Sequence, residues 1–343
     1  MKNLENAAHR LIDDILVVKP GENVAITCDP KTDSEMSKWI AEAVYEAAAF
    51  PIIIETYPPE GKGVLGEDEL PVNVLSAALS EADVWIEINQ RQLLYSKPFE
   101  IALERNKKIR YMVLAEMTPD VFIRTIGNVD ARKLKPLILG IKDLLENSKT
   151  VRVKTAIGTD VVFEVDNDHF LGLDYGECAH PGFHTMAGCI NIVPRFGSVN
   201  GDIIIDGTLT DKGVIKGERV HLEVKDGIIE SISGTDAADW FRNYLRDFND
   251  PNMYKIAHLS IGLNPGAIFS GSTPEDERGW GVTTWGIGSV PATDAPPDGQ
   301  RAVSHCDGTC AKSTIWFDDR LIMKDGEIAD KGLMELDITK KSL

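Results

Sequence analysis

Near its C-terminus the chain carries the run Val303-Ser304-His305-Cys306-Asp307-Gly308, with an imidazole and a carboxylate two residues apart. In an extended strand residues i and i+2 share a face, so His305 and Asp307 can aim at one point. A second histidine, His258, lies 47 positions upstream (305 − 258) within the strand-like run Tyr254 to Gly262. Together the three side chains make a 2-His-1-carboxylate set of the kind that holds non-haem Fe(II) and leaves the opposite face open. That open face could take a chelating substrate and dioxygen. Neither piece carries this chemistry alone, because a His-x-Asp pair also suits a hydrogen-bonded loop and a histidine in an apolar run also suits a core.

Other groups able to do chemistry cluster in two stretches. Leu173 to Cys189 holds His180, His184, Asp174 and Glu177 among glycines, and is expected to be a long polar loop. Loops of this length without secondary structure tend to be functional. Asn89 to Ser96 follows the strand-like run Val84 to Ile88, and so falls at a strand C-terminal end, where open α/β sheets place ligand contacts. The five cysteines are odd in number and lack a CxxC pair, which argues against a disulfide framework and a zinc ribbon. Cys306 and Cys310 flank the His-x-Asp pair closely enough for a second reading as thiolate ligands.

The elements that must position these groups change character along the chain. After an opening helix over 4–18, strand-like runs (23–27, 51–56, 82–88, 109–114) alternate with helical ones (34–49, 73–81, 97–105). This predicts an open, mostly parallel, doubly wound α/β domain over 1–148, closed by a helix at 131–147. No G-x-G-x-x-G or G-K-[ST] pattern follows the first strand, so a nucleotide is not the expected ligand. From 149 to 343 the runs alternate apolar and polar residues around Gly and Asp-Gly turns, starting with a hairpin about Ile157-Gly158-Thr159. They predict a mainly antiparallel α+β domain.

With 343 residues there is ample chain for two such domains. Lys and Arg number 36 against 54 Asp and Glu, a net charge of −18, which argues against nucleic acid as a partner. The N-terminus has no apolar signal region and no stretch of about 18 apolar residues occurs, so the expectation is a cytoplasmic protein without a membrane partner.

The run Phe248-Asn249-Asp250-Pro251, continuing through Tyr254, His258, Gly262 and Pro265, followed by Ser304-His305-Cys306-Asp307, resembles the 2,5-dihydroxypyridine dioxygenases. These iron enzymes of nicotinate degradation share their fold with the M29 (leucyl aminopeptidase T) metallopeptidases. The resemblance covers most of the second half, and only the order of elements over the first. It implies one Fe(II) per chain on His258, His305 and Asp307, a small aromatic substrate with O2, ring cleavage to N-formylmaleamate, and, by analogy, a homo-oligomer.

The resemblance also implies a pocket from Leu93-Leu94-Tyr95-Ser96, Asp174-Tyr175-Gly176 and a downstream histidine, His184 or its competitor His180. His184 is the first candidate for the base, with Tyr95 or Asp174 holding the neighbouring group and Glu177 orienting from outside. Tyr95 stands where the family has histidine. A phenol titrating near about 10 is a poorer base at neutral pH than an imidazole near about 6.5, so either His184 is the base or the ring differs. The aminopeptidase branch has a Gly-Glu pair in place of Ala257-His258 and a histidine in place of Thr284. An aminopeptidase holding Zn2+ or Mn2+ is the chief alternative, with Glu275, Asp276 and Glu277 supplying a second metal. A non-catalytic member that keeps the fold is a third reading.

Overall fold

A computed structural model describes residues 2–60 and 68–340. The chain divides into two compact units, Met1–Arg132 with Gly176–Ala187, and Lys133–Tyr175 with Gly188–Leu343.

In the first unit the parallel strands Asn23–Cys28, Phe50–Glu55, Val84–Glu87, Arg110–Val113 and Gly182–Thr185 form one sheet, with Phe50–Glu55 at one edge and Gly182–Thr185 at the other. Strand alternation sends Val24, Ile26, Val84 and Ile86 to one face and Ala25, Trp85 and Tyr111 to the other. Helices cover both faces of the inner strands, which are buried on both sides, whereas the edge strands Phe50–Glu55 and Gly182–Thr185 stay partly exposed. The expected opening helix runs as Lys2–His9 and continues as a π-helical turn, Arg10–Ile15.

The second unit consists of an eight-stranded and a seven-stranded sheet whose paired strands run antiparallel. In the seven-stranded sheet Ile256–Gly262, Thr283–Val290 and Gln300–Cys310 lie side by side, Thr283–Val290 in the middle. The mixed architecture is the one expected, α/β followed by antiparallel α+β.

The course of the chain differs from the division at 148/149 in two places. The segment read as a loop over 173–189 contains the strand Gly182–Thr185, which pairs with Arg110–Val113 and so returns 176–187 to the first unit. Leu171–Asp174 and Cys189–Ile192 at its ends pair with each other in the second unit. The helix Ala131–Glu146 belongs, from Lys133 on, to the second unit; Gly140 faces the Leu333 side chain so closely that a Cβ would lie 2.8 Å from it. Periodicity reports an element's type, whereas these assignments rest on which surface the element covers. Among the described residues no helix is long and apolar enough to cross a membrane.

Candidate active site

Sheet register brings His258, His305 and Asp307 together. His258 pairs with Gly286 on the middle strand, Gly286 with Asp307, and Gly288 with His305. Gly286 thus separates His258 from Asp307 in one row across three strands. A Cβ at Gly286 would overlap the His258 ring, so only glycine lets the imidazole lie across this position. The donor atoms then form a nearly equilateral triangle. His258 Nε2 is 3.2 Å from His305 Nε2 and 3.4 Å from Asp307 Oδ1, and His305 Nε2 is 3.3 Å from the same oxygen. The two rings lie parallel within 10°.

Neighbours fix which ring nitrogen faces the triangle. His305 Nδ1 lies 2.9 Å from the Ser289 carbonyl, which can only accept, so Nδ1 carries the hydrogen and Nε2 presents its lone pair. His258 Nδ1 lies 3.2 Å from Ser260 Oγ, and the Ser260 hydroxyl donates to Asn191 Oδ1. Ser260 Oγ therefore accepts from His258 Nδ1, and His258 Nε2 is likewise free to bind.

The electrostatics ask for a cation. Burial works against charge on His305, but the Asp307 carboxylate and the hydrogen bonds raise it to about 9. Burial pushes the Asp307 carboxyl upward too, yet the two imidazoles hold it well below the usual carboxylate range. Two imidazole nitrogens and one carboxylate oxygen within a few ångströms suit a transition-metal ion bound at about 2.1 Å from each donor.

Other sequence-identified groups are not part of this triangle. Cys306 alternates to the opposite face from His305 and Asp307, and both Cys306 and Cys310 are buried with their thiols pushed up by desolvation. This overturns the thiolate reading. Asp276 accepts from the N–H groups of Ser270 (2.7 Å) and Gly271 (2.9 Å) and from the Thr208 hydroxyl, and Glu275 accepts from the Ile268 N–H (3.2 Å). Glu277 is bound by Arg278, whose other nitrogen lies 3.1 Å from Asp174. None of these acids joins the triangle's donor atoms, which lie within 4.8 Å of one another. Asp174 is thus an ion-pair partner at the end of its strand in the second unit.

The remaining groups lie in the first unit. Asp29, at the end of the first strand, accepts the Arg91 N–H (2.9 Å) and so ties the loop 89–96 to the sheet. Glu87, fully buried, accepts the Leu93 N–H and the Tyr111 hydroxyl; burial pushes its carboxyl up to about 7 against those two hydrogen bonds. In this loop Leu94 is half-buried, Ser96 is buried and begins the helix Lys97–Arg105, and Tyr95 is exposed at φ 64°. Tyr95 sets its ring edge against Phe99, which packs in turn on Tyr111.

His184 is buried on the strand Gly182–Thr185, with Nε2 2.7 Å from the His180 carbonyl. That bond puts the ring hydrogen on Nε2 and leaves Nδ1 as the basic atom. Burial, with His180 and Arg110 nearby, lowers His184 below the ordinary histidine range despite the carbonyl bond. His180 and Glu177 are exposed. Sequence reasoning missed Gly286, Ser260 and Glu87. The signal for Gly286 was the Gly286-Ile287-Gly288 spacing, which marks close approach in a strand.

Comparison with known proteins gives the family. The profile of the NicX family, 2,5-dihydroxypyridine 5,6-dioxygenase, matches residues 14–330. The 2,5-dihydroxypyridine 5,6-dioxygenase of Pseudomonas putida is 26% identical over 267 residues, 73% of this chain and 72% of that protein. A solved structure of 2,5-dihydroxypyridine dioxygenase from the same organism superposes with a TM-score of 0.79 at 20% identity, covering 96% of this chain and 98% of that one. The wild-type AmpT of Thermus thermophilus superposes with a TM-score of 0.66 at 13% identity, covering 96% and 99%, a likeness of fold. Matched over nearly its whole length by the profile, the chain belongs to the 2,5-dihydroxypyridine 5,6-dioxygenase family of O2-incorporating oxidoreductases.

Proposed function

We propose that this chain is an Fe(II)-dependent ring-cleaving dioxygenase acting on 2,5-dihydroxypyridine, with N-formylmaleamate as product. The observation that carries the reading is the triangle of His258 Nε2, His305 Nε2 and Asp307 Oδ1. These three atoms would hold one iron, which when bound supplies Lewis acidity toward a phenolic oxygen and a path for electrons to O2.

The chain's own groups do the rest. His184 Nδ1, neutral at physiological pH because burial disfavours the imidazolium, takes the proton of the substrate hydroxyl. The Nε2–H bond to the His180 carbonyl keeps the ring in the tautomer that can do so. Leu94, Tyr95, Ser96, His180 and Glu177 are the substrate-binding residues that the family resemblance implies, and the Leu93 N–H bond to Glu87 anchors the Leu94-Tyr95-Ser96 segment. Asp174 acts through Arg278, by holding the guanidinium that neutralises Glu277. The aminopeptidase reading loses support because Glu275, Asp276 and Glu277 are engaged by backbone N–H groups and Arg278.

Anaerobic loading with Fe(II), followed by air-saturated 2,5-dihydroxypyridine, tests this reading. Oxygen and ring absorbance should disappear in equal amounts. Hydrolysis of a leucine anilide with Zn2+ or Mn2+ and no ring loss would return the chain to the peptidases. Silence in both assays would mean that Tyr95 selects another hydroxylated ring.

A further inference from the structure

The strand Phe50–Glu55 lies at the edge of the parallel sheet and pairs on one side with Asn23–Cys28. Among the described residues nothing pairs with its other side. Edge strands of soluble proteins are usually short, charged or covered. This one reads Phe50-Pro51-Ile52-Ile53-Ile54-Glu55 and exposes apolar side chains on both faces: Phe50 is 63% accessible, Ile52 53% and Ile53 42%. Tyr57 just beyond it and Tyr45 on the adjoining helix Ser34–Glu46 are exposed as well. In a chain with 54 acidic residues and a net charge of −18, five consecutive uncharged residues on an open edge need a cover.

The backbone says what cover fits. Phe50 N–H donates to the Glu22 carbonyl (2.8 Å) and Thr56 N–H to the Cys28 carbonyl (3.0 Å). Even-numbered residues therefore turn their amide groups toward the neighbouring strand, and Pro51, Ile53 and Glu55 turn theirs outward. Pro51 sits at an outward position, where its missing N–H costs the existing sheet nothing.

We propose that this edge pairs antiparallel with the same strand of a second copy, about a two-fold axis at Ile53. Ile53 would exchange both its N–H and C=O bonds with its counterpart, and each Glu55 N–H would meet the carbonyl of the opposite Pro51. The proline C=O accepts from the Glu55 N–H, and because proline has no N–H the Glu55 carbonyl at each end of the ribbon is left to water. Ile52 packs beside Ile54 of the other copy, and the two Glu55 carboxylates lie at opposite ends of the ribbon. A two-fold at Ile54 forms as many bonds but brings the carboxylates to diagonal neighbours about 7–8 Å apart. One at Pro51 loses the central pair of bonds. The pairing uses the exposed edge of both copies, so it closes after two chains instead of propagating.

Sedimentation velocity on the full-length, iron-loaded protein tests this assignment, with hydrogen exchange of the peptide over 50–56 as an independent readout. The wild type should sediment as an even-numbered assembly, and Ile53→Lys should halve its mass with an unchanged circular dichroism spectrum. In the wild type two edge amides, those of Ile53 and Glu55, should exchange slowly, and in Ile53→Lys rapidly. A monomeric wild type, or an assembly that survives Ile53→Lys with both amides exchanging freely, overturns the pairing. If Ile53→Lys does not fold, the exchange of the wild-type edge decides alone.

Discussion

At the scale of single residues, the acid/base behaviour of His184 follows from its surroundings. Burial and the nearby Arg110 and His180 hold it below the ordinary histidine range, so it stays neutral, and competent as a base, at lower pH than a free imidazole. The acid limb of kcat/KM should therefore fall below about pH 6.5. His184→Gln keeps a donor toward the His180 carbonyl and removes the proposed base. It should lower kcat about 10²–10⁴-fold and abolish the limb. A limb that persists in the variant would assign the base elsewhere.

Tyr95 is a separate residue-scale question. At φ 64° it occupies the left-handed region, where a bulky side chain costs roughly 1–3 kcal/mol and histidine is found more often than most residues. Tyr95→His should therefore leave the melting temperature equal or higher. If the substrate is 2,5-dihydroxypyridine it should also raise kcat/KM; a fall would mark Tyr95 as selecting a different ring.

Elements decide whether these residues meet. His258 reaches His305 and Asp307 because the middle strand presents Gly286 between His258 and Asp307. Gly286→Ala puts a Cβ into the space of the His258 ring, so the ring must turn away. Iron content after gel filtration should drop toward that of His258→Ala, while the antiparallel sheet signal in the far ultraviolet remains. Full iron content in Gly286→Ala would show that the ring has another way in.

In the parallel sheet, the end of Val84–Glu87 holds the loop that carries Tyr95. The Glu87 carboxyl, near 4.5 in the unfolded chain, is raised by burial to about 7 when folded. A raised carboxyl favours the protonated fold, so its contribution is whole below about pH 4.5 and is lost as pH rises through about 7. Glu87→Gln mimics the neutral acid and has no such dependence. Denaturant titrations should show the variant gaining on the wild type by on the order of 3 kcal/mol between those pH values. Parallel pH profiles for the two proteins would show Glu87 to be ionised when folded.

For the molecule as a whole, the proposed metal ligands link two strands across a third in the second unit, so a bound ion should behave as part of that unit's fold. A ligand bound only by the folded state stabilises by about 2.7 kcal/mol at a hundredfold excess over Kd. Chelation should lower the melting temperature and speed amide exchange in Ile256–Gly262 and Gln300–Cys310, leaving Asn23–Cys28 unchanged. Equal acceleration in both units would show that the ion holds more than its own sheet.

The sequence by itself determined most of the element types and named the three candidate ligands. A period of two puts His305 and Asp307 on one face whatever the topology, and alternating helices and strands followed by strand hairpins admit few architectures. Charge balance likewise needs no coordinates. Only the tertiary structure decided that His258 lies opposite Gly286, that residues 176–187 return to the first sheet as a strand, and that Asp276 is spent on backbone N–H groups. Each of these depends on the register and partner of a strand distant in sequence. Local periodicity is indifferent to that choice, because burial of side chains from elsewhere in the chain makes it.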